Sequence, residues 1–417
     1  MRKLLLASLA ALGATVGMAN AATLATTKPS TEPGSVTVNF NGLFVWYAGV
    51  AGSSADNVGG GKSNPYAMQG YVRLYPGFDG VMTNGLKYGA QFEVRINQPG
   101  TVGPSPGGNS TAQTLYVRRG YAYLGSPTIG TFRFGPHYGP SGLFLVGTFE
   151  GFDDGGWNGD VPTYLPGATE PAWPFEYTSV LYSANKVVYL SPSFAGFDFG
   201  VSFAPNTGSF VATACNSAAQ GGCDRQSTSL LGSDAGRREN MVEAQARYQG
   251  TFGGVGIAAA GGFIGSGIVK DYAPGATQFQ NESLGNFGAT LSYAGFTVGG
   301  HMVAGKANNG FAPLAKGQKG TIAWLVGAQY QTGPYTVGFH YFDALSAGNT
   351  ATTTGMRTDI GLAVGGTYAL VPGVSLFASY LYGQRHELGN NFVGTGPATA
   401  FNNTHGQAFA IGTAIKW

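Results

Sequence analysis

Of 417 residues only 10% are Asp, Glu, Lys or Arg, while 13% are aromatic and 70 are Gly; that charge is far below the usual share of a soluble chain. The formal net charge of +2 argues against nucleic acid or any other polyanionic partner. After residue 21 no stretch offers the roughly 18 consecutive apolar residues of a spanning helix, which excludes a helical membrane protein.

In chain order, residues 1–21 read as a secretory signal: Arg2 and Lys3, an apolar run from Leu4 to about Met18, then Ala19-Asn20-Ala21 before the cut. Its removal takes two positive charges and leaves the mature chain near neutrality. Residues 22–34 are expected to form a short N-terminal segment on the periplasmic side, and 35–417 a single barrel domain. Over Val36–Trp46, Val36, Val38, Phe40, Phe44 and Trp46 alternate with Thr37, Asn39 and Asn41. Over 86–97, Leu86, Tyr88, Ala90, Phe92, Val94 and Ile96 take one face and Lys87, Gly89, Gln91, Glu93, Arg95 and Asn97 the other. A period of two over ten or so residues means strand, and a polar second face means water on that side.

About sixteen such segments run from 35–47 to 405–417. Tight turns at Ser191–Ala195, Gln249–Thr251, Ala294-Gly295, Thr332-Gly333 and Leu370–Gly373 alternate with long loops such as 206–237, 266–284 and 386–404. Short turns at one end and long loops at the other, on an exported chain without apolar runs, predict an all-β, antiparallel transmembrane barrel of about 16 strands. An even strand number lets the sheet close, leaving no unpaired edge in lipid. Tyr and Trp at strand ends (Trp46, Tyr66, Tyr123, Tyr248, Trp417) read as interfacial girdles.

One segment breaks the pattern. From Gly139 to Tyr177 the chain carries five prolines and several aromatics, too long for an ordinary connection and too apolar for disorder. It is expected to fold into the lumen as the barrel's third long loop and to narrow it. Parity puts Lys87, Glu93 and Arg95 on the inner wall, and Arg73 and Arg133 with them, since an Arg facing lipid at mid-bilayer costs about 2–4 kcal/mol. The loop carries Glu150, Asp153, Asp154 and Asp160. Basic wall opposite acidic loop would set a transverse field across a narrow aqueous gap; the same charges could equally be salt bridges that hold the loop down.

Cys215 and Cys223 bracket a Gly-rich stretch of one outer loop, and in an oxidising compartment such a pair predicts a disulfide. The histidines His137, His301, His340, His386 and His405 show no metal-ligand spacing and read as wall residues, His301 and His340 facing the lumen. Gly254-x-Gly256-x-x-Ala259 matches a dinucleotide pattern without its strand–helix context and carries nothing. No cofactor, metal or catalytic group is expected.

Asn185-Lys186-Val187-Val188-Tyr189-Leu190-Ser191-Pro192-Ser193-Phe194-Ala195-Gly196-Phe197 resembles the Asn-x-Val-x-Tyr-x-Ser-Pro-x-Phe-x-Gly-Phe signature of general Gram-negative porins. Arg118-Arg119-Gly120-Tyr121-Ala122-Tyr123-Leu124 and Gly130-Thr131-Phe132-Arg133-Phe134-Gly135 resemble two further strands of that family, and Glu150–Gly156 resembles its constriction loop with the acids shifted. Pro136 and Leu190 stand where the family has Arg and an inward polar residue. The resemblance implies sixteen strands, a homotrimer in the outer membrane of a Gram-negative bacterium, and Arg118 and Lys186 facing inward with Arg119 outward. It implies a water-filled channel for passive diffusion of small hydrophilic solutes and ions, not an enzyme. A channel selective for sugars or organic acids is the nearest alternative, ahead of a barrel enzyme or an adhesive, plugged barrel.

Overall fold

The computed structural model describes residues 32–96, 115–157, 164–176, 184–206, 223, 225–226, 238–271, 275–349, 355–394, 397 and 399–417. Sixteen strands form one closed barrel. They are β1 (Val36–Ser53), β2 (Tyr66–Val81), β3 (Lys87–Ile96), β4 (Leu115–Ser126), β5 (Gly130–Pro136), β6 (Asn185–Leu190), β7 (Phe197–Asn206) and β8 (Arg238–Phe252). The second half comprises β9 (Val255–Ile268), β10 (Glu282–Tyr293), β11 (Phe296–Lys306), β12 (Thr321–Thr332), β13 (Tyr335–Ser346), β14 (Arg357–Val371), β15 (Val374–His386) and β16 (Asn403–Lys416). Each pairs antiparallel with its chain neighbour, and β1 meets β16 in register from Leu43↔Lys416 to Ser53↔Gly406 to close the ring.

Alternation decides the two faces. In β12, Ile322, Trp324 and Val326 are 55%, 42% and 48% exposed, whereas Ala323 and Leu325 between them are 0% and 1% exposed. Every strand turns such apolar side chains outward, which is the surface a lipid bilayer solvates. Aromatic pairs girdle the short-turn end: Phe197 with Tyr248 at 4.6 Å, Phe296 with Tyr330 at 4.3 Å and Tyr335 with Tyr368 at 4.8 Å between ring centroids. Tyr123 does not join that girdle. It shares the inner face with Tyr121, and its hydroxyl donates to Asp79.

Two expectations need correction. The β8–β9 turn is Gly253-Gly254, at φ of 56° and 86°, rather than Gln249–Thr251, because two left-handed glycines make the tight hairpin corner and let β8 run on to Phe252. The inner face is also not polar throughout. On β9, β10, β12, β13 and β15 it carries Ile264, Leu284, Leu325, Phe342 and Leu381, all buried in one apolar cluster with Phe149, Phe152, Trp157 and Trp173. Protein rather than water covers that part of the wall.

Candidate functional site

The strands β2 to β5 bring the basic residues together. Arg73 stands directly across from Arg95 in the β2–β3 register. On β3, Glu93 is 1% exposed and collects three guanidinium groups: Arg95, Arg118 at 3.3 Å and Arg119. Arg119 was expected to point outward. The β3–β4 pairing slips between Glu93↔Arg119 and Val94↔Val117, so Arg118 is the extra residue of a bulge and parity fails there. Both arginines therefore reach the same carboxylate. Aromatic faces back the guanidinium planes: Arg73 lies 4.9 Å from the Tyr71 ring centre, Arg119 4.7 Å from Tyr138 and Arg133 5.0 Å from Tyr121. Such stacking holds the flat group in place.

Just past β5, His137 supports this wall, a role its spacing did not announce. It is 1% exposed, its Nδ1 lies 2.9 Å from the Tyr138 carbonyl, and Arg133 Nη1 lies 3.2 Å from Nε2. Nδ1–H donating to the carbonyl leaves Nε2 to accept from Arg133. Burial first, then the charges of Arg133 and Arg119, hold its pKa well below the ordinary imidazole range, so the ring is neutral.

The segment that follows touches one strand after another. Gly139 abuts the Glu243 carboxylate, and the Ser141 amide donates to Glu243 Oε2 at 3.2 Å; Lys186 Nζ reaches Glu243 Oε1 at 3.4 Å. His301 Nδ1 lies 2.8 Å from the Val146 carbonyl. The Asp153 amide donates to Thr367 Oγ1 at 3.2 Å, Ser379 donates to the Asp153 carboxylate, and Asp154 Oδ2 lies 3.5 Å from His340 Nε2. Farther on, Thr404 Oγ1 donates to the Ala168 carbonyl at 2.7 Å. Trp157 and Trp173 are 1% and 5% exposed and pack edge-on against Phe342 at 5.1 and 5.5 Å. Small wall residues make room: a Cβ on Gly288 would strike the Val146 carbonyl, and one on Gly365 the Asp153 carbonyl. Gly147 takes φ of 89° as the backbone passes Gly300, a conformation that costs Gly nothing.

Asp153 is half-buried. Removal from water pushes its carboxyl up to about 7, the Asp154 charge adds to this, and the Ser379 hydrogen bond opposes it. Glu150 is half-buried beside Thr148 Oγ1 at 3.5 Å. Lys87 is exposed at the start of β3. Asp160 and Cys215 lie outside the described residues; Cys223 is buried.

Ion pairs elsewhere on the wall include Arg247 with Asp198 at 2.6 Å, Arg238 with Glu282 at 2.5 Å, Arg385 with Asp359 at 3.1 Å and Arg357 with Glu387 at 2.6 Å. Parity alone could have found Asp359 and Arg385, which alternate with outward residues of their strands.

A closed sixteen-stranded barrel, apolar outside and lined within by ionic side chains, defines the class: a transmembrane β-barrel channel. The sequence profile of the Gram-negative porins matches residues 7–387, and the chain belongs to that family. It is an outer-membrane channel for passive diffusion, and porins are channels rather than enzymes. Among solved structures it is similar to the anion-selective porin from Comamonas acidovorans, with 15% identity, 92% of this chain and 100% of that chain covered, and a TM-score of 0.56. It is also similar to the trimer form of OmpT from Vibrio cholerae, with 15% identity, 92% and 100% covered and a TM-score of 0.49. A mutant of the Rh. blastica porin aligns at 12% identity over 91% and 100% of the two chains, with a TM-score of 0.49. No curated protein sequence matches the chain significantly.

Proposed function

We propose that the segment 139–177 folds into the barrel and narrows the channel, and that the path runs between it and the arginine-bearing wall of β2 to β5. The observation that carries this reading is the row of contacts from Glu243 through His301 and Thr367 to Thr404, because only a segment crossing the lumen meets inward residues of strands so far apart in the ring. Arg73, Glu93, Arg95, Arg118 and Arg133 line the path on this reading. Lys186, Asp153 and Asp154 serve chiefly to hold the segment down, since each has a close partner on Glu243, Ser379 or His340. Trp157 and Trp173 are packed away against Phe342, which favours general diffusion over a row of aromatic rings for sugars.

In this reading residues 1–21 are cleaved on export, Cys215 and Cys223 form a disulfide in an outer loop, and the protein assembles as a homotrimer in outer-membrane lipid. Deleting Asp153–Asp160 is expected to raise single-channel conductance while heat-modifiable mobility, the sign of an assembled barrel, persists. An unchanged conductance, together with protease access to Trp157 on intact cells, would place the segment over the mouth instead and overturn the reading.

A further inference from the structure

We infer that the inner wall near the end of β2 carries a binding site for primary ammonium ions, built from Asp79, Asn39 and the ring of Tyr123. The inference rests on the lumen path proposed above, which runs past this wall, and adds a solute class to it.

Asp79 is half-buried, two residues before the end of β2. Both of its hydrogen-bond donors are neutral: Asn39 Nδ2 reaches Oδ2 at 2.6 Å, and the Tyr123 hydroxyl donates to Oδ1. Among the described residues no Lys or Arg pairs with it, whereas Glu93, Asp198 and Asp359 each hold a guanidinium group. Lys87, opposite Val81 in the β2–β3 register, is exposed and makes no ion pair among the described residues. The Asp79 carboxylate is thus bonded but not balanced by a cation, and each of its oxygens has a second lone pair to offer.

A second observation points to the same missing donor. Asn39 is 7% exposed, and its Oδ1 is buried without a hydrogen-bond partner. This orphan acceptor sits on the same planar amide that donates to Asp79. A buried carbonyl oxygen lacking a donor is costly, and beside a carboxylate with only neutral partners the donor that fits is a cation.

The surroundings select the kind of cation. Gly89 stands directly across from Asp79 and has no side chain; a Cβ there would strike the Tyr123 ring. The ring therefore lies against β3 and offers an apolar face beside the carboxylate. A primary ammonium group brings three N–H donors to the waiting oxygens, in charge-assisted hydrogen bonds. Its charge is also attracted by the ring face, on which an attached alkyl chain can lie. Potassium has no N–H and gains only the charge.

The test is the KCl current of single reconstituted channels with n-butylammonium added at constant ionic strength. The wild-type current is expected to fall in a saturable way. Tetramethylammonium carries the same charge without an N–H, and should need a concentration about five- to tenfold higher, the worth of charge-assisted hydrogen bonds at a water-exposed site. Asp79→Asn is expected to raise the half-saturating n-butylammonium concentration by a similar factor. That variant keeps an acceptor oxygen for Asn39 or Tyr123, and its heat-modifiable mobility shows whether the barrel has assembled. The comparison of the two ions on wild type needs no variant and decides the matter if Asp79→Asn fails to fold. A current that does not saturate, equal potency of the two ions, or an assembled Asp79→Asn with the parent's half-saturation would overturn the inference. Failure of the lumen path itself reads out separately, as an unchanged conductance of the 153–160 deletion.

Discussion

At the scale of single residues, Asp153 is the side chain whose charge should change within the working range of the channel. Its ordinary carboxyl pKa is raised to about 7. The protonated form is therefore favoured by the folded segment, and that stabilisation is complete below the ordinary carboxylate range and is lost as pH rises through about 7. Lowering the pH from 8 to 6 is thus expected to neutralise Asp153, tighten the segment and shift the reversal potential towards anions. Asp153→Asn, which keeps an acceptor for Ser379, should make the reversal potential flat over that range. A titration that persists unaltered in Asp153→Asn would locate the charge elsewhere. The residue scale is also where the sequence is hardest to read. Parity placed Glu93, Arg95 and Arg133 on the inner face because unbroken alternation carries that information. The family resemblance turned Arg119 outward and failed there, because a one-residue bulge leaves no mark in a sequence motif. The strand-end reading misplaced Tyr123, since an aromatic near a strand end can face either lipid or lumen and only its partner Asp79 decides.

At the scale of elements, the segment 139–177 was legible as a non-strand insertion rich in aromatics, but the points where, on the proposed reading, it is moored to the wall were not. Several of them are backbone carbonyls meeting glycines on distant strands, and glycine is too common here, at 70 positions, for any one to stand out. Gly365 offers the sharpest test: its missing side chain is the space occupied by the Asp153 carbonyl. Gly365→Val is expected to dislodge the segment, raise conductance and broaden the solute-size cutoff, while the barrel still assembles. Gly366→Val is the control. That neighbour has only the Val337 side chain and the Thr336 carbonyl within ordinary contact distance, so its conductance should match the parent. Equal conductance of Gly365→Val and the parent would count against the mooring.

At the scale of the whole molecule, sixteen strands were countable because turn chemistry punctuates them, and the closed ring follows from an even count in lipid. The apolar part of the inner wall was hidden, because periodicity reports a face but not what covers it. Stability is expected to reside in the ring rather than in the outer loops. Cys215→Ser with Cys223→Ser should therefore leave folding, heat-modifiable mobility and conductance intact; the chain-entropy value of the proposed disulfide, closing so short a loop, is about 2–3 kcal/mol at most, and it falls on the loop. Loss of the heat-resistant barrel in that double variant would contradict this.

The seam between β1 and β16 has a consequence for how the molecule comes into being. The ring is completed by pairing strands from opposite ends of the chain, Leu43 with Lys416 and Ser53 with Gly406. Every other barrel contact joins chain neighbours across a turn or loop, so hairpins can zip progressively while this one joint waits for the final strand to be delivered. Its search is the longest the chain must make. Until then two rows of bare amides and carbonyls face outward, which hydrocarbon will not tolerate. Nascent protein should therefore depend on escort through the periplasm, and a truncation within Asn403–Lys416 should be recovered as an aggregate or degradation product rather than as a smaller pore.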